Sequence, residues 1–122
     1  GRTGDGCAWY CRCLPAHQAE LLKLATNAFY ALKVTFANEM YACGMTQETL
    51  NALAADPWIA ASHFDVEHKG YRGFGGKCLV KDSNALAVLA YKSGVTGGLV
   101  RMACDINRKL LAKQGKSEDE WL

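Results

Sequence analysis

The chain has 122 residues, of which 50% are hydrophobic and 21% are charged, and 14 basic against 12 acidic residues give a formal net charge of +2. This length suffices for one domain with its own core, and this composition excludes a disordered protein. Acidic and basic residues are interleaved along the chain, so we expect neither nucleic acid nor a membrane surface as a partner. No apolar run approaches the roughly 18 residues of a membrane span, and the start lacks the layout of a secretory signal, which predicts a cytoplasmic location.

Six cysteines raise the question of a disulfide scaffold. Such scaffolds are shorter, rich in loops and poor in helix-forming residues, so the sequence favours reduced thiols. Cys7, Cys11 and Cys13 lie close together but do not match the spacing of zinc ligands, and we predict no metal site there. The other three are dispersed through helical sequence: Cys43, Cys78 and Cys104.

Residues 1–15 show no sustained period and predict a loosely held arm. From residue 16, apolar residues recur at three- and four-residue steps, which predicts a long helix that ends near Gly44. Thr46 is a suitable N-cap for a second helix over about 47–55, and Asp56-Pro57 would end it. The apolar stripe of the first helix consists of Leu21, Ala25, Ala28, Leu32, Phe36 and Met40.

The second half of the chain predicts a long polar loop over 62–76 and two more helices. The third helix would begin near Leu79 or Asp82 and end at Ser93, and the fourth would be capped by Thr96 and run to Lys113. Strand signals are almost absent. The prediction is an all-α fold, a compact helical bundle with one long helix and a glycine-rich loop. It comprises the arm 1–15, a helical module 16–113 and a polar, frayed tail 114–122.

Lys23 and Asn27 lie four residues apart in the long helix, so their side chains project from one face. Pattern alone favours a solvated polar stripe at this place over a functional site. The residues themselves do not decide between the two.

The segment from Gly73 to Asp82 is a second candidate. A glycine-rich turn that enters a helix lets the backbone approach a ligand and directs N–H groups toward it. Cys78 lies at the predicted helix start with Lys77 and Lys81 beside it, which favours a reactive thiol, and Asp82 follows one helical turn later. The alternative is a buried structural cysteine behind a flexible loop, and the two are evenly matched from the residues alone.

Two strings of the chain resemble a known family. GFGGKCLVKD, followed by Ala85-Leu86, is similar to the catalytic-cysteine motif of UDP-glucose/GDP-mannose dehydrogenases. AELLKLATNAFYALKVTFANEM is similar to the other central signature of that family. The approach to the cysteine motif, over residues 62–72, and the final helix around Asp105 to Arg108 also resemble family members. The likeness covers residues 18–110 and is that of the central domain alone, which in the family forms the dimer core.

The resemblance implies NAD-dependent oxidation of a nucleotide-sugar alcohol to a carboxylate. Cys78 would attack the intermediate aldehyde, Lys23 and Asn27 would stabilise charge on the sugar oxygen and orient water, and Asp82 would assist proton transfer. The loop residues implied to line the sugar pocket are Gly73, Phe74, Gly75 and Gly76.

The chain also departs from the family pattern. Gly4-Asp5-Gly6 follows no strand and is no dinucleotide site, so we expect no cofactor bound by this chain. Val80 replaces a usual proline, and residues 66–68 replace a Pro-Gly pattern. We therefore expect a truncated or stand-alone central domain that forms homodimers without dehydrogenase activity of its own. The alternatives are a fragment of an active enzyme that needs separate nucleotide-binding domains, and a small thiol-binding or redox protein that uses Cys78.

Overall fold

The computed structural model describes residues 14–121, so Cys7, Cys11, Cys13 and most of the predicted arm lie outside the described part. Its helices are α1 (Ala16–Ala42), α2 (Gln47–Ala54), α3 (Cys78–Lys92) and α4 (Leu99–Lys113), followed by a short 3-10 helix (Glu118–Trp121). Strands β1 (Glu67–His68) and β2 (Tyr71–Arg72) pair antiparallel within the long loop. The predicted mostly helical fold is confirmed. Among the helices described, none is long and apolar enough to cross a membrane.

Local chemistry explains most helix ends. The Thr46 hydroxyl accepts a hydrogen bond from the Thr49 backbone N–H at 3.1 Å, so the predicted cap of α2 is confirmed. Gly44 has a φ of +111°, which confirms the predicted end of α1. The prediction that Thr96 caps the last helix is wrong, because Gly97 turns the chain at a φ of +61° and α4 begins after Gly98.

Helix α1 packs against α3 and α4, which also pack against each other. The predicted apolar stripe is not the face that this packing buries. Of its residues only Ala28 is buried, whereas Ala25 and Phe36 are exposed. Small side chains let helices approach closely, so the buried face follows the alanines. The buried residues of α1 are Ala28, Ala31, Lys33, Ala37 and Asn38.

A core cluster joins α1, α2 and the long loop. Ala37, Leu50, Phe64 and Val66 are buried together, and half-buried side chains of α1, α2 and the connections on either side of α2 surround them. Phe64 and Val66 belong to the loop, so the loop contributes to the core instead of lying over it. This packing fixes the first half of the loop, and the candidate site lies beyond its second half.

Candidate functional site

The structure joins two of the predicted site residues directly. The Asn27 side-chain amide donates a hydrogen bond to Asp82 Oδ2 at 2.7 Å, which links the middle of α1 to the first turns of α3. Asp82 is buried, and Lys81 Nζ lies 3.6 Å from its other oxygen. A buried carboxylate needs partners on both oxygens, and here the amide and the ammonium supply them.

Cys78 is the first residue of α3 and is exposed to solvent as a free thiol. The first N–H groups of a helix have no partner within the helix, and Cys78 lies in this first turn. Asp82 lies four residues later and therefore one turn along the same face. The structure thus places the exposed thiol at the start of the helix that carries Asp82, which binds Asn27.

Lys23 is exposed on α1, one turn before Asn27. Among the described residues, neither Lys23 nor Cys78 makes a side-chain hydrogen bond or ion pair. Both residues are exposed, and their predicted roles remain predictions.

The side chain of Asn107 on α4 binds the backbone of the glycine-rich loop. The Asn107 Oδ1 accepts from the Phe74 backbone N–H at 2.8 Å, and its Nδ2 donates to the Phe74 carbonyl at 2.7 Å. Phe74 itself is buried, as are Gly73 and Gly75. The side chain of Phe74 therefore anchors the loop in the interior, and a ligand would meet the loop through other atoms.

The start of the predicted tail takes part in the same arrangement. Gln114 accepts from the Arg72 N–H at 2.8 Å and donates to the Arg72 carbonyl at 2.9 Å, which repeats the pairing of Asn107 with Phe74 two residues earlier. The Gly76 N–H donates to the Glu118 carbonyl at 2.8 Å. The expectation of fraying is wrong for Gln114 and Glu118, because both hold the loop.

A second polar cluster lies where α1 meets the turn after α2. Lys33 Nζ is buried and donates to the Ala60 carbonyl at 2.8 Å, and it lies 4.8 Å from the centre of the Phe64 ring. His63 stacks on Tyr30 with 4.1 Å between ring centres, and its Nδ1 is buried without a hydrogen-bond partner. Burial lowers the pKa of Lys33, and burial together with the charge of Lys33 lowers the pKa of His63. This cluster fixes the turn over residues 58–63.

Two backbone N–H groups of the glycine-rich loop are already occupied. A glycine-rich loop binds phosphate through unpaired backbone N–H groups. Here those of Phe74 and Gly76 are bonded to Asn107 and Glu118, so neither of the two is free for a phosphate.

Sequence reasoning missed the carboxamide groups that hold the loop. Besides Asn107 and Gln114, Gln47 of α2 donates to the Phe64 carbonyl at 3.0 Å and accepts from the Val66 N–H at 2.9 Å. One signal was present in the sequence. Asn107 lies four residues after Ala103 and four before Leu111, both buried, so an amide interrupts an apolar face.

Comparison with known proteins identifies the family of the chain. The central domain of the UDP-glucose/GDP-mannose dehydrogenase family matches residues 17–109. The chain is 35% identical to the UDP-glucose 6-dehydrogenase of Pseudomonas aeruginosa over 69% of its own length and 19% of that protein. It is 34% identical to the GDP-mannose 6-dehydrogenase of Pseudomonas putida, over 70% of the chain and 20% of that protein. It is 32% identical to the UDP-glucose 6-dehydrogenase of Rhizobium meliloti, over 80% of the chain and 24% of that protein.

The chain thus spans about a fifth of the length of the curated relatives that it matches. No solved structure gives a significant match. The family match covers the helices that carry Asn27, Cys78 and Asp82 as well as the loop between them. This chain belongs to the UDP-glucose/GDP-mannose dehydrogenase family and contains its central domain.

Proposed function

We propose that the chain is the homodimerising central module of a nucleotide-sugar dehydrogenase and that these 122 residues alone do not turn over substrate. The observation that carries the dimer is an apolar face left open across α1 and α4. Phe29 and Phe36 of α1 and Leu99 and Met102 of α4 are all exposed, Leu99 to 71%. Together with Trp58 they line a groove of about 690 Å³.

A monomer rarely exposes so many large apolar side chains side by side, because burial of apolar surface is worth about 25 cal/mol per Å². A twofold-symmetric dimer would place the same face of each copy against the other. The apolar stripe of α1 that the bundle does not bury contributes Leu32 and Phe36 to this groove. Its amphipathic pattern is explained if its partner is a second copy of the chain.

Sedimentation velocity at micromolar concentration tests the dimer. We expect the native chain to sediment as a dimer and Phe36→Glu as a monomer, since the variant brings two carboxylates into the shared face. Tyr91→Glu is the matched control, because Tyr91 is an exposed aromatic residue of α3 that does not line this groove. A native chain that is strictly monomeric at these concentrations would refute the proposal.

The second candidate is that the module supplies the reacting groups of a UDP-sugar 6-dehydrogenase once nucleotide-binding domains are provided. Its support is the hydrogen bond of Asn27 to Asp82 on the helix that begins with the exposed thiol of Cys78. Cys78 Sγ would attack the aldehyde carbon of the sugar, and the first N–H groups of α3 would attract negative charge that develops nearby. Asp82, oriented by Asn27, would exchange a proton with water at this centre, and Lys23 would bind a sugar oxygen.

The oxidation also needs a hydride acceptor, and we assign it to NAD held by nucleotide-binding domains. These domains lie outside the matched region, on this or another polypeptide. A chimera tests whether NAD held by such domains accepts the hydride. Residues 16–113 would replace the corresponding domain of the Pseudomonas aeruginosa relative, and UDP-glucose-dependent NAD reduction would be followed at 340 nm.

We expect the chimera to reduce NAD and the isolated chain to remain inactive under the same conditions. Cys78→Ala should abolish the reaction, whereas Cys43→Ala should leave it unchanged. Cys43 is a suitable control because it is also an exposed free thiol, but it lies at the far end of α1. A folded chimera without activity, or one equally active with Cys78→Ala, would refute this second candidate.

A further inference from the structure

The geometry points to Asn107 as the positioning residue for Cys78, acting through the backbone of Phe74. The inference rests on the proposed function in one respect, since it explains how the thiol of that site is held. Asn107 is only 2% exposed and lies on α4, whereas Cys78 begins α3. The connection between them is the glycine-rich loop.

Both polar atoms of Asn107 bind one residue of the loop. The bonds of 2.8 Å and 2.7 Å to the N–H and carbonyl of Phe74 hold the two peptide groups on either side of its Cα and so fix their orientation. A single bond would leave the rotation open. Phe74 is four residues before Cys78, so an error in its placement is carried directly into the first turn of α3.

The loop offers Asn107 a close approach that only glycine permits. A Cβ on Gly73, whose φ is +102°, would lie 2.8 Å from Asn107 Oδ1. The amide therefore packs against bare backbone on one side and bonds to the next residue on the other. Gly73 gives space to the amide, and this role does not require that the glycine itself touch a ligand.

Two further contacts from the C-terminal part of the chain act in the same direction. Gln114 binds the backbone of Arg72 through both its amide atoms, and the Glu118 carbonyl accepts from the Gly76 N–H. Residues 72, 74 and 76 are thus held at alternate positions, as along a strand. The segment 107–118 therefore holds the backbone of residues 72–76, which precede Cys78.

The test measures the alkylation rate of Cys78 relative to Cys43 in the full 122-residue chain, by iodoacetamide and peptide mass spectrometry. Cys43 is the reference within each molecule because it is exposed and distant in sequence from the loop. In Asn107→Asp the donor to the Phe74 carbonyl is lost, and in Asn107→Leu both bonds are lost. We expect the ratio to fall by about two- to fivefold, more in Asn107→Leu, as the anion-attracting first turn of α3 loses its fixed position.

Asn38→Ala is the matched control for the loss of a buried helical amide. Asn38 is also a buried helical asparagine, but among the described residues its amide donates to Val34 of its own helix and to nothing in the loop. Its variant should leave the alkylation ratio unchanged. If Asn107→Leu does not fold, Gln114→Met removes the neighbouring pair of bonds at a half-buried position and should lower the ratio in the same direction.

A ratio that stays at the native value in the folded Asn107 and Gln114 variants overturns the inference. The same holds if Asn38→Ala changes the ratio as much as they do. The measurement uses neither sugar nucleotide nor cofactor, so it is independent of whether the chimera is active. A changed ratio with an inactive chimera would retain the positioning role and refute the catalytic candidate alone.

Discussion

Gly73→Ala offers the most direct test of how tightly the glycine-rich loop is packed. Gly73 adopts a φ of +102°, a conformation that L-residues rarely adopt. Forcing alanine into it costs about 1–3 kcal/mol whatever surrounds it. The new methyl group would also lie 2.8 Å from Asn107 Oδ1 and 3.1 Å from Leu111 Cδ2, and both atoms belong to buried side chains.

The contact with Asn107 adds to that strain. The amide cannot retreat without lengthening its two bonds to Phe74, each worth about 1 kcal/mol, and overpacking of a close-packed interior typically costs about 1–3 kcal/mol. We therefore expect about 2 kcal/mol beyond the backbone strain. Gly94→Ala isolates that strain, because Gly94 has a φ of +98° and no atom within 4 Å of a Cβ built on it.

Urea unfolding followed by far-ultraviolet circular dichroism compares the two variants at one protein concentration, since a dimer makes stability depend on concentration. With a slope of about 2 kcal/mol per M, the excess corresponds to a midpoint about 1 M lower for Gly73→Ala than for Gly94→Ala. Equal midpoints would show that the loop yields freely around residue 73. The close packing of loop and amide would then be refuted.

Three further outcomes are expected. Lowering the pH from 7 should destabilise the chain through His63, whose pKa is lowered in the folded state. Such a histidine contributes stability above its unfolded pKa of about 6.5, and this contribution is lost as the pH falls through the folded pKa. His63→Phe should flatten this part of a plot of melting temperature against pH. Leu50→Ala, at a core position with 0% exposure, should lower the free energy of unfolding by about 2–4 kcal/mol. Thr46→Ala, which removes the N-cap of α2, should lower it by about 1 kcal/mol, and urea unfolding measures both changes. Gln47→Ala should lower the free energy of unfolding by about 1–3 kcal/mol, because it leaves the Phe64 carbonyl and the Val66 N–H without their partner. Gln18→Ala, at an exposed position, should lower it by less than about 0.5 kcal/mol. Equal effects would contradict the role of Gln47.

The sequence predicted the helices well because their signals are local. Apolar periodicity, the Thr46 cap and the glycine after α1 each act within a few residues, and all three hold in the structure. The start of the last helix was placed too early because Thr96 has good capping chemistry. The pair Gly97 and Gly98 decides the turn instead, and competition between adjacent signals is not visible in composition.

The face that α1 buries was less predictable for a physical reason. Periodicity finds an apolar stripe but does not say what covers it. Leu32 and Phe36 of the stripe line the open groove, whereas Ala28 is buried and Met40 packs against the core cluster. The buried residues of α1 are mainly small alanines, together with Lys33 and Asn38. Buried Lys33 is tolerated because carbonyls at the turn after α2 accept hydrogen bonds from its ammonium group, and such a contact between distant segments has no sequence signature.

The candidate site shows the same division between local and distant information. The spacing from Cys78 to Asp82 and from Lys23 to Asn27 follows from helix geometry alone. That Asn27 reaches Asp82 depends on how α1 packs against α3, and only the structure gives that distance. The sequence predicts the spacing within each pair of residues, but it does not predict the hydrogen bond from Asn27 to Asp82 that joins the two pairs.

The loop before Cys78 has few backbone partners of its own, and the carboxamides explain why it is nonetheless ordered. A side-chain amide carries the same donor and acceptor as a peptide group, so Gln47, Asn107 and Gln114 each act as a one-residue strand partner. Asn107 lies on α4 and Gln114 directly follows this helix, so both come after the thiol in the chain. The position of Cys78 is therefore set by sequence beyond it, and a glycine-rich motif transferred without these amides should fold without presenting its cysteine in the same place.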